Sequence, residues 1–324
     1  MPQTKPPAPG PCAPGPCAPD RPAGAAPGPS GEESAPGLAR HGLPLPSLSR
    51  RHLLLAPAGL ALARAVPAAA RERDEAHAQG RAARRAVPLA ATPLSRMDLP
   101  WWARRHHEKV AEMRDRRPAL VWLGDSITQN FEHDGPAPLD DYAPVWRRFY
   151  GDRRAVNLGF MGDATAHVLW RAESAEFDGT QPRLIVLLVG ANNLGRVHWD
   201  APDSLQGIAA ILAALRRRMP QTQVLLLSVL PRAGDAWVID TRVAINRGLR
   251  ATYGEGPGVP GVRYVDLTGL FERDGRIDDA LYRDPSLSPP RLALHPTPAG
   301  MALIAETIEP EVARILGDRV HRAA

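Results

Sequence analysis

Residues 183–193 read Arg-Leu-Ile-Val-Leu-Leu-Val-Gly-Ala-Asn-Asn. An unbroken aliphatic run closed by glycine describes a strand buried on both faces, as strands are in parallel sheets. Runs of similar length recur on either side: ALVWLG (119–124), RAVNLGF (154–160), VLLLSVLP (224–231) and VRYVDL (262–267). Between them lie stretches with helical spacing, such as SLQGIAAILAALRRRM (204–219), with Asp203 or Ser204 as N-cap and arginines at the end that the helix dipole favours. Strands alternating with helices predict βαβ units: a five-stranded parallel sheet in a three-layer α/β/α sandwich, with any site at the carboxyl edge of the strands.

Outside this region the composition changes. The chain holds 35 prolines and 28 glycines in 324 residues, and residues 1–46, with the repeat APGPC-APGPC around Cys12 and Cys17, carry almost no aliphatic side chains. Such a segment is expected to be disordered, because it buries too little apolar surface to offset the entropy of ordering. Both cysteines fall there, which excludes a thiol nucleophile, a disulfide or a cysteine metal site from the rest. The formal charge of +5 is also local: residues 1–96 carry 12 basic and 6 acidic side chains, residues 97–324 carry 28 and 29. A folded part so nearly neutral, without a basic stripe, speaks against a nucleic-acid partner.

Residues 47–70, SLSRRHLLLAPAGLALARAVPAAA, pair a twin arginine (Arg50, Arg51) with an apolar stretch from Leu53 to Leu62 and an AxA-like end at Ala68 to Ala70. That order matches a twin-arginine signal peptide. It predicts export to the periplasm or the medium, and cytoplasmic residence if the segment is not a signal. Its apolar run is too short for a stable membrane anchor. Residues 1–46 upstream are unusual for a signal, which a start assigned too far upstream would explain. The organisation expected is therefore 1–46 disordered, 47–70 signal, 71–96 linker and 97–324 folded domain.

Four polar blocks sit at the expected strand ends: Gly-Asp-Ser-Ile-Thr (124–128), Asn-Leu-Gly-Phe-Met-Gly-Asp (157–163), Gly-Ala-Asn-Asn (190–193) and, downstream, Leu-His-Pro-Thr-Pro-Ala-Gly (294–300). In this order, and with Val168-Leu-Trp-Arg171 and Ser228-Val-Leu-Pro-Arg232, the sequence resembles the SGNH/GDSL hydrolases, a superfamily of serine esterases with a flavodoxin-like fold. It looks closest to the branch of the platelet-activating-factor acetylhydrolase catalytic subunits, over roughly residues 97–317. The resemblance implies Ser126 as nucleophile, His295 as general base, and an oxyanion hole from the N–H groups of Ser126 and Gly162 and the amide of Asn192. The chemistry fits: a serine hydroxyl needs a base within hydrogen-bond reach, and a glycine lets its N–H approach the developing charge. Ser126 could instead be a simple N-cap and Gly162 a plain turn glycine. Asn193 could brace its loop.

The pattern departs from the family at the triad acid, which usually stands three residues before the histidine. Leu292 occupies that position. Asp284, in the proline-rich 282–290 stretch, is the nearest upstream carboxylate, with Asp278 and Asp279 further back. Either Asp284 orients His295, or a backbone carbonyl near Leu292 does and the enzyme works as a dyad. No metal motif or nucleotide-binding loop is present, so no cofactor is expected; adjacent His106 and His107 do not share a helix face. The function expected is hydrolysis of short-chain esters, acetyl on a small molecule or carbohydrate. Acyl transfer to a sugar and a non-catalytic carbohydrate-binding role stand beside it. The oligomeric state is left open. Loops 129–149 and 194–203 would wall the pocket, with Trp199, Trp237 and Phe131 as candidates to stack on a sugar or line the acyl group, an ordinary surface or core position being the alternative for each.

Overall fold

The computed structural model describes residues 86–136, 140–255, 258–273, 276–282 and 294–322. The segments expected to be disordered (1–46) and to be a signal (47–70), the part of the expected linker before residue 86, and Asp284 all lie outside the described residues. Five parallel strands form one sheet: β1 (Leu120–Gly124), β2 (Ala155–Gly159), β3 (Leu184–Leu188), β4 (Gln223–Leu227) and β5 (Val262–Val265), in the order β2-β1-β3-β4-β5. β1, β2, β3 and β5 lie within the runs read from the sequence and β4 starts one residue before its run, at Gln223; β1, β2 and β3 are buried at every position.

Alternate residues of each strand enter separate cores, as the pleat requires. Val121, Leu123, Ile185, Leu187, Val224 and Leu226 pack under the helices α1 (Pro100–Arg116), α4 (Thr165–Glu173), α6 (Ala201–Arg218) and α7 (Ala236–Leu249). Leu120, Trp122, Leu184, Val186, Leu225 and Leu227 pack under α3 (Ala143–Tyr150) and α9 (Pro298–Leu316). The short helices α2 (Ser126–Gln129), α5 (Ala191–Gly195) and α8 (Thr268–Phe271) follow β1, β3 and β5. A two-residue ladder, β6 (Glu272–Arg273) with β7 (Arg276–Ile277), follows α8. The sandwich has the expected three layers. Among the described residues no helix is long and apolar enough to cross a membrane.

Three details differ from the sequence reading. The helix expected from Ser204 starts at Ala201, because Asp200 caps it by accepting the N–H of Asp203 and Pro202 fits a first turn that needs no N–H donor. Much of 129–149 is built rather than loop: α3 and a 3-10 turn at Asn130–Glu132 occupy it. Residues 86–96, assigned to the linker, lie against the domain, with the Leu94 N–H on Ala166 O and Thr165 Oγ1 donating to Ala90 O.

Because the chain turns outward from β1 to β2 and then crosses to β3, the strand order reverses between β1 and β3. Helices leaving those two strands diverge there and open a crevice at their carboxyl ends. At the neighbouring edge, α2 crosses so close to the end of β2 that a Cβ on Gly159 would overlap the backbone of Thr128 and Gln129. Gly159→Ala is therefore expected to destabilise the domain by about 3 kcal/mol, the upper range for overpacking a filled site, measured as a lowered midpoint of urea unfolding.

Candidate active site

The crevice receives Ser126 from β1, Gly162 from the loop after β2, and Asn192 from α5 after β3. Ser126 does not cap its own helix. Asp125 does, its Oδ1 accepting the Ile127 N–H at 3.0 Å, which leaves the serine hydroxyl unspent. That hydroxyl lies 2.9 Å from Nε2 of His295, a residue 169 positions later in the chain. The histidine loop is clamped from two sides: Tyr142 donates its hydroxyl to Pro296 O at 2.9 Å, and Pro296 bridges Tyr282 while the Thr297 N–H reaches Leu281 O. Thr297 then caps α9, whose Met301, Ile304, Ile308 and Val312 are buried at the spacing expected.

Asn192 sits between the other two contributors. Its Nδ2 donates to Asp163 O at 3.0 Å and reaches Asp125 Oδ2 at 3.4 Å, thereby joining the residue before the serine to the residue after Gly162. Asn193 turns away into the protein, fixing α5 to Thr165 and Ser204. Gly162 has a φ of 76°, in the left-handed region where a side chain is strained, so the glycine there is demanded by the turn. Burial pushes the Asp125 carboxyl up to about 6, against the opposing pull of the Ile127 N–H and of His295.

Behind the Gly162 loop lies a charged assembly without solvent. Asp163 and Arg171 are fully buried, and the Asp163 carboxylate accepts from Arg171 Nε, Trp102 Nε1 and Arg96 Nη1, each at 2.9 Å. Arg171 spends its other nitrogens on Gly124 O at 2.9 Å, Leu158 O at 3.0 Å and Glu176 Oε2 at 3.2 Å, and Glu176 Oε1 meets His106 Nδ1 at 2.8 Å. Arg96 also donates to Met161 O at 2.8 Å, so both sides of Gly162 are held. Neither Asp163 nor Arg171 was singled out as a site residue from sequence, though a signal was there: Arg171 falls among Val168, Leu169 and Ala172 on the buried side of α4, where an arginine needs paid partners.

Of the remaining candidates, Phe131 is 2% exposed and packs on Trp122, Trp146 and Tyr150, so it is a core aromatic rather than a pocket wall. Trp237 is 38% exposed, its ring 5.4 Å from that of His198. Asp278 accepts the Ala280 N–H in a turn, and Asp279 is exposed. His106 is absorbed by Glu176.

A family model, the GDSL-like Lipase/Acylhydrolase family, matches residues 122–303. Human platelet-activating factor acetylhydrolase IB subunit alpha1 is 37% identical over 178 residues, which are 54% of this chain and 71% of that protein. The alpha2 subunit from Gallus gallus is 32% identical over 194 residues, 59% and 77% of the two chains. A solved structure from Streptococcus pneumonia, described as a platelet activating factor, shares the fold at a TM-score of 0.50 and 20% identity, covering 66% of this chain and 95% of that one.

Removing Arg171 would leave Glu176 buried without its arginine and Asp163 with Arg96 alone. Arg171→Met is expected to cost about 3–5 kcal/mol of stability, the penalty for breaking a buried ion pair, read from chemical unfolding.

Proposed function

The chain belongs to the GDSL-like lipase/acylhydrolase family and is an acylhydrolase of that family; on that premise we propose that it cleaves short-chain esters through an acyl-enzyme on Ser126. The observation that carries this reading is the 2.9 Å approach of Ser126 Oγ to His295 Nε2. As Oγ attacks the ester carbonyl, Nε2 takes its proton; the carbonyl oxygen becomes an oxyanion, and collapse of the tetrahedral species expels the alcohol, which recovers the proton from His295. Water repeats the sequence on the acyl-enzyme, with His295 as base again, and releases the acid.

The oxyanion would be received by the N–H groups of Ser126 and Gly162 and by Asn192 Nδ2. One Asn192 hydrogen is firmly held by Asp163 O; the other makes only a 3.4 Å contact with Asp125, and this is the one a developing negative charge can take over. The two relatives are acetylhydrolases by name, which supports an acetyl acyl group. A carbohydrate alcohol rests on less: the exposed Trp237 offers a stacking face. Export through residues 47–70 remains the proposal made from their sequence.

Ser126→Ala should reduce hydrolysis of aryl acetates to background in a protein that unfolds as the parent does, and Asn192→Ala should lower kcat about 10²- to 10³-fold with a smaller change in KM. Full turnover in a folded Ser126→Ala variant would end the acyl-enzyme mechanism.

Asp284 is proposed as the acid that orients His295. Asp284→Asn is then expected to lower kcat by about 10⁴-fold, while Asp278→Asn, which alters a turn, leaves it nearly intact. Near-normal activity of Asp284→Asn, with His295→Ala inactive, would give the orienting role to a backbone carbonyl near Leu292.

A further inference from the structure

One arginine beside the crevice keeps its donors unspent. Arg196 follows α5 directly and stands four residues after Asn192, its backbone N–H donating to Asn192 O at 3.0 Å. Residues four apart share a helix face, and side chains lean towards the helix start, so Arg196 projects back over Asn192. The glycine of the oxyanion loop reports where it ends: a Cβ placed on Gly162 would lie 3.3 Å from Nη1 of Arg196 and 3.3 Å from Nη1 of Arg96. Two guanidinium groups thus meet over the same glycine.

Their situations differ. Arg96 is 14% exposed and committed to Met161 O and Asp163. Arg196 is exposed, and its guanidinium has no hydrogen bond or ion pair among the described residues. The nearby groups add no negative charge for it: the Asp163 carboxylate is buried and filled by three donors, and His167 accepts the Ala164 N–H with its basicity pushed down to about 4, by burial and then by Arg96, Arg171 and Arg196. Like charges side by side repel, and an anion between them relieves the repulsion while filling the guanidinium fork.

We infer that Arg196 forms a cationic subsite that seats an anionic group of the ester substrate, a carboxylate or a phosphate, next to the scissile bond. The inference rests on the esterase reading above and adds to it a substrate class: esters bearing an acid group close to the acyl linkage.

The test compares kcat/KM for phenyl acetate, 4-acetoxybenzoate and 4-acetoxyphenyl phosphate. The last two carry the carboxylate and the phosphate on a common frame. The quantity read is each anionic ester's kcat/KM relative to the neutral one, after correction for their uncatalysed rates. In the parent this ratio should exceed one and fall as salt is added. Arg196→Gln should lower it about tenfold, as expected for losing one hydrogen-bonded charge pair. Arg196→Lys should restore part of it, keeping the charge without the fork. Arg114→Gln, which removes an exposed cation from the opposite end of α1, should leave it unchanged. A ratio untouched by Arg196→Gln, or an equal loss on neutral and anionic esters, overturns the subsite; the second result would make Arg196 a support for the oxyanion loop. Whichever anionic ester loses more identifies the anion. Failure of the parent to hydrolyse phenyl acetate would overturn the esterase reading itself, a result distinct from either of these.

Discussion

Arg171 is withdrawn from water, and its guanidinium reaches the ends of β1 and β2 through Gly124 O and Leu158 O while holding the carboxylates of Asp163 and Glu176. A charge so placed is tolerated only when nearly every donor finds an acceptor, since the desolvation penalty otherwise exceeds what pairing returns. Two of its acceptors are backbone carbonyls at strand ends, Gly124 O and Leu158 O. The site's geometry follows: the β2 loop cannot drift from β1 without breaking bonds that water cannot replace in a sealed interior. Phe160 lies on the guanidinium face, 4.0 Å from its ring centre, and closes the assembly.

Against that fixed background the reactive groups are held by lighter means. Asp125 takes the capping duty that the serine would otherwise perform, and Tyr142, at the start of α3, holds the histidine loop from within the layer that α3 shares with α9. Asn192 shares one amide between the two loops it faces. The rigid part of the site therefore lies behind the oxyanion loop, and the adaptable part lies at the serine and histidine. This division suits acyl transfer, in which donors to the oxyanion act best when preorganised and the base must swing between oxygen atoms.

The strands were legible because burial on both faces writes them as plain aliphatic runs, and the four polar blocks were legible because strand ends at a switch point put glycine, serine and asparagine where no core needs them. The start of α6 lies before the Ser204 read from sequence, because Asp200 and not Asp203 or Ser204 is the cap, and Pro202 occupies a first turn that needs no N–H donor. Phe131 looked available because its neighbours in sequence are polar; its aromatic partners come from β1 and α3. The buried ion assembly was hidden for a similar reason. Arg171 stands among apolar neighbours on α4, but its partners Asp163 and Glu176, and Arg96 beyond them, lie elsewhere in the sequence and only the tertiary fold brings them together.

The clamp on the histidine loop has a consequence for the chain as it is made. Ser126, the loop of Gly162 and Asn192 all belong to the first three strands and the connections that follow them. His295 arrives more than a hundred residues later and has no place to sit until Tyr142, Tyr282 and α9 have come together. A chain ended before α9 would thus present Ser126 without the histidine that it faces in the folded protein. On the acyl-enzyme reading proposed above, the site is complete only after α9, the last helix, has been made and packed.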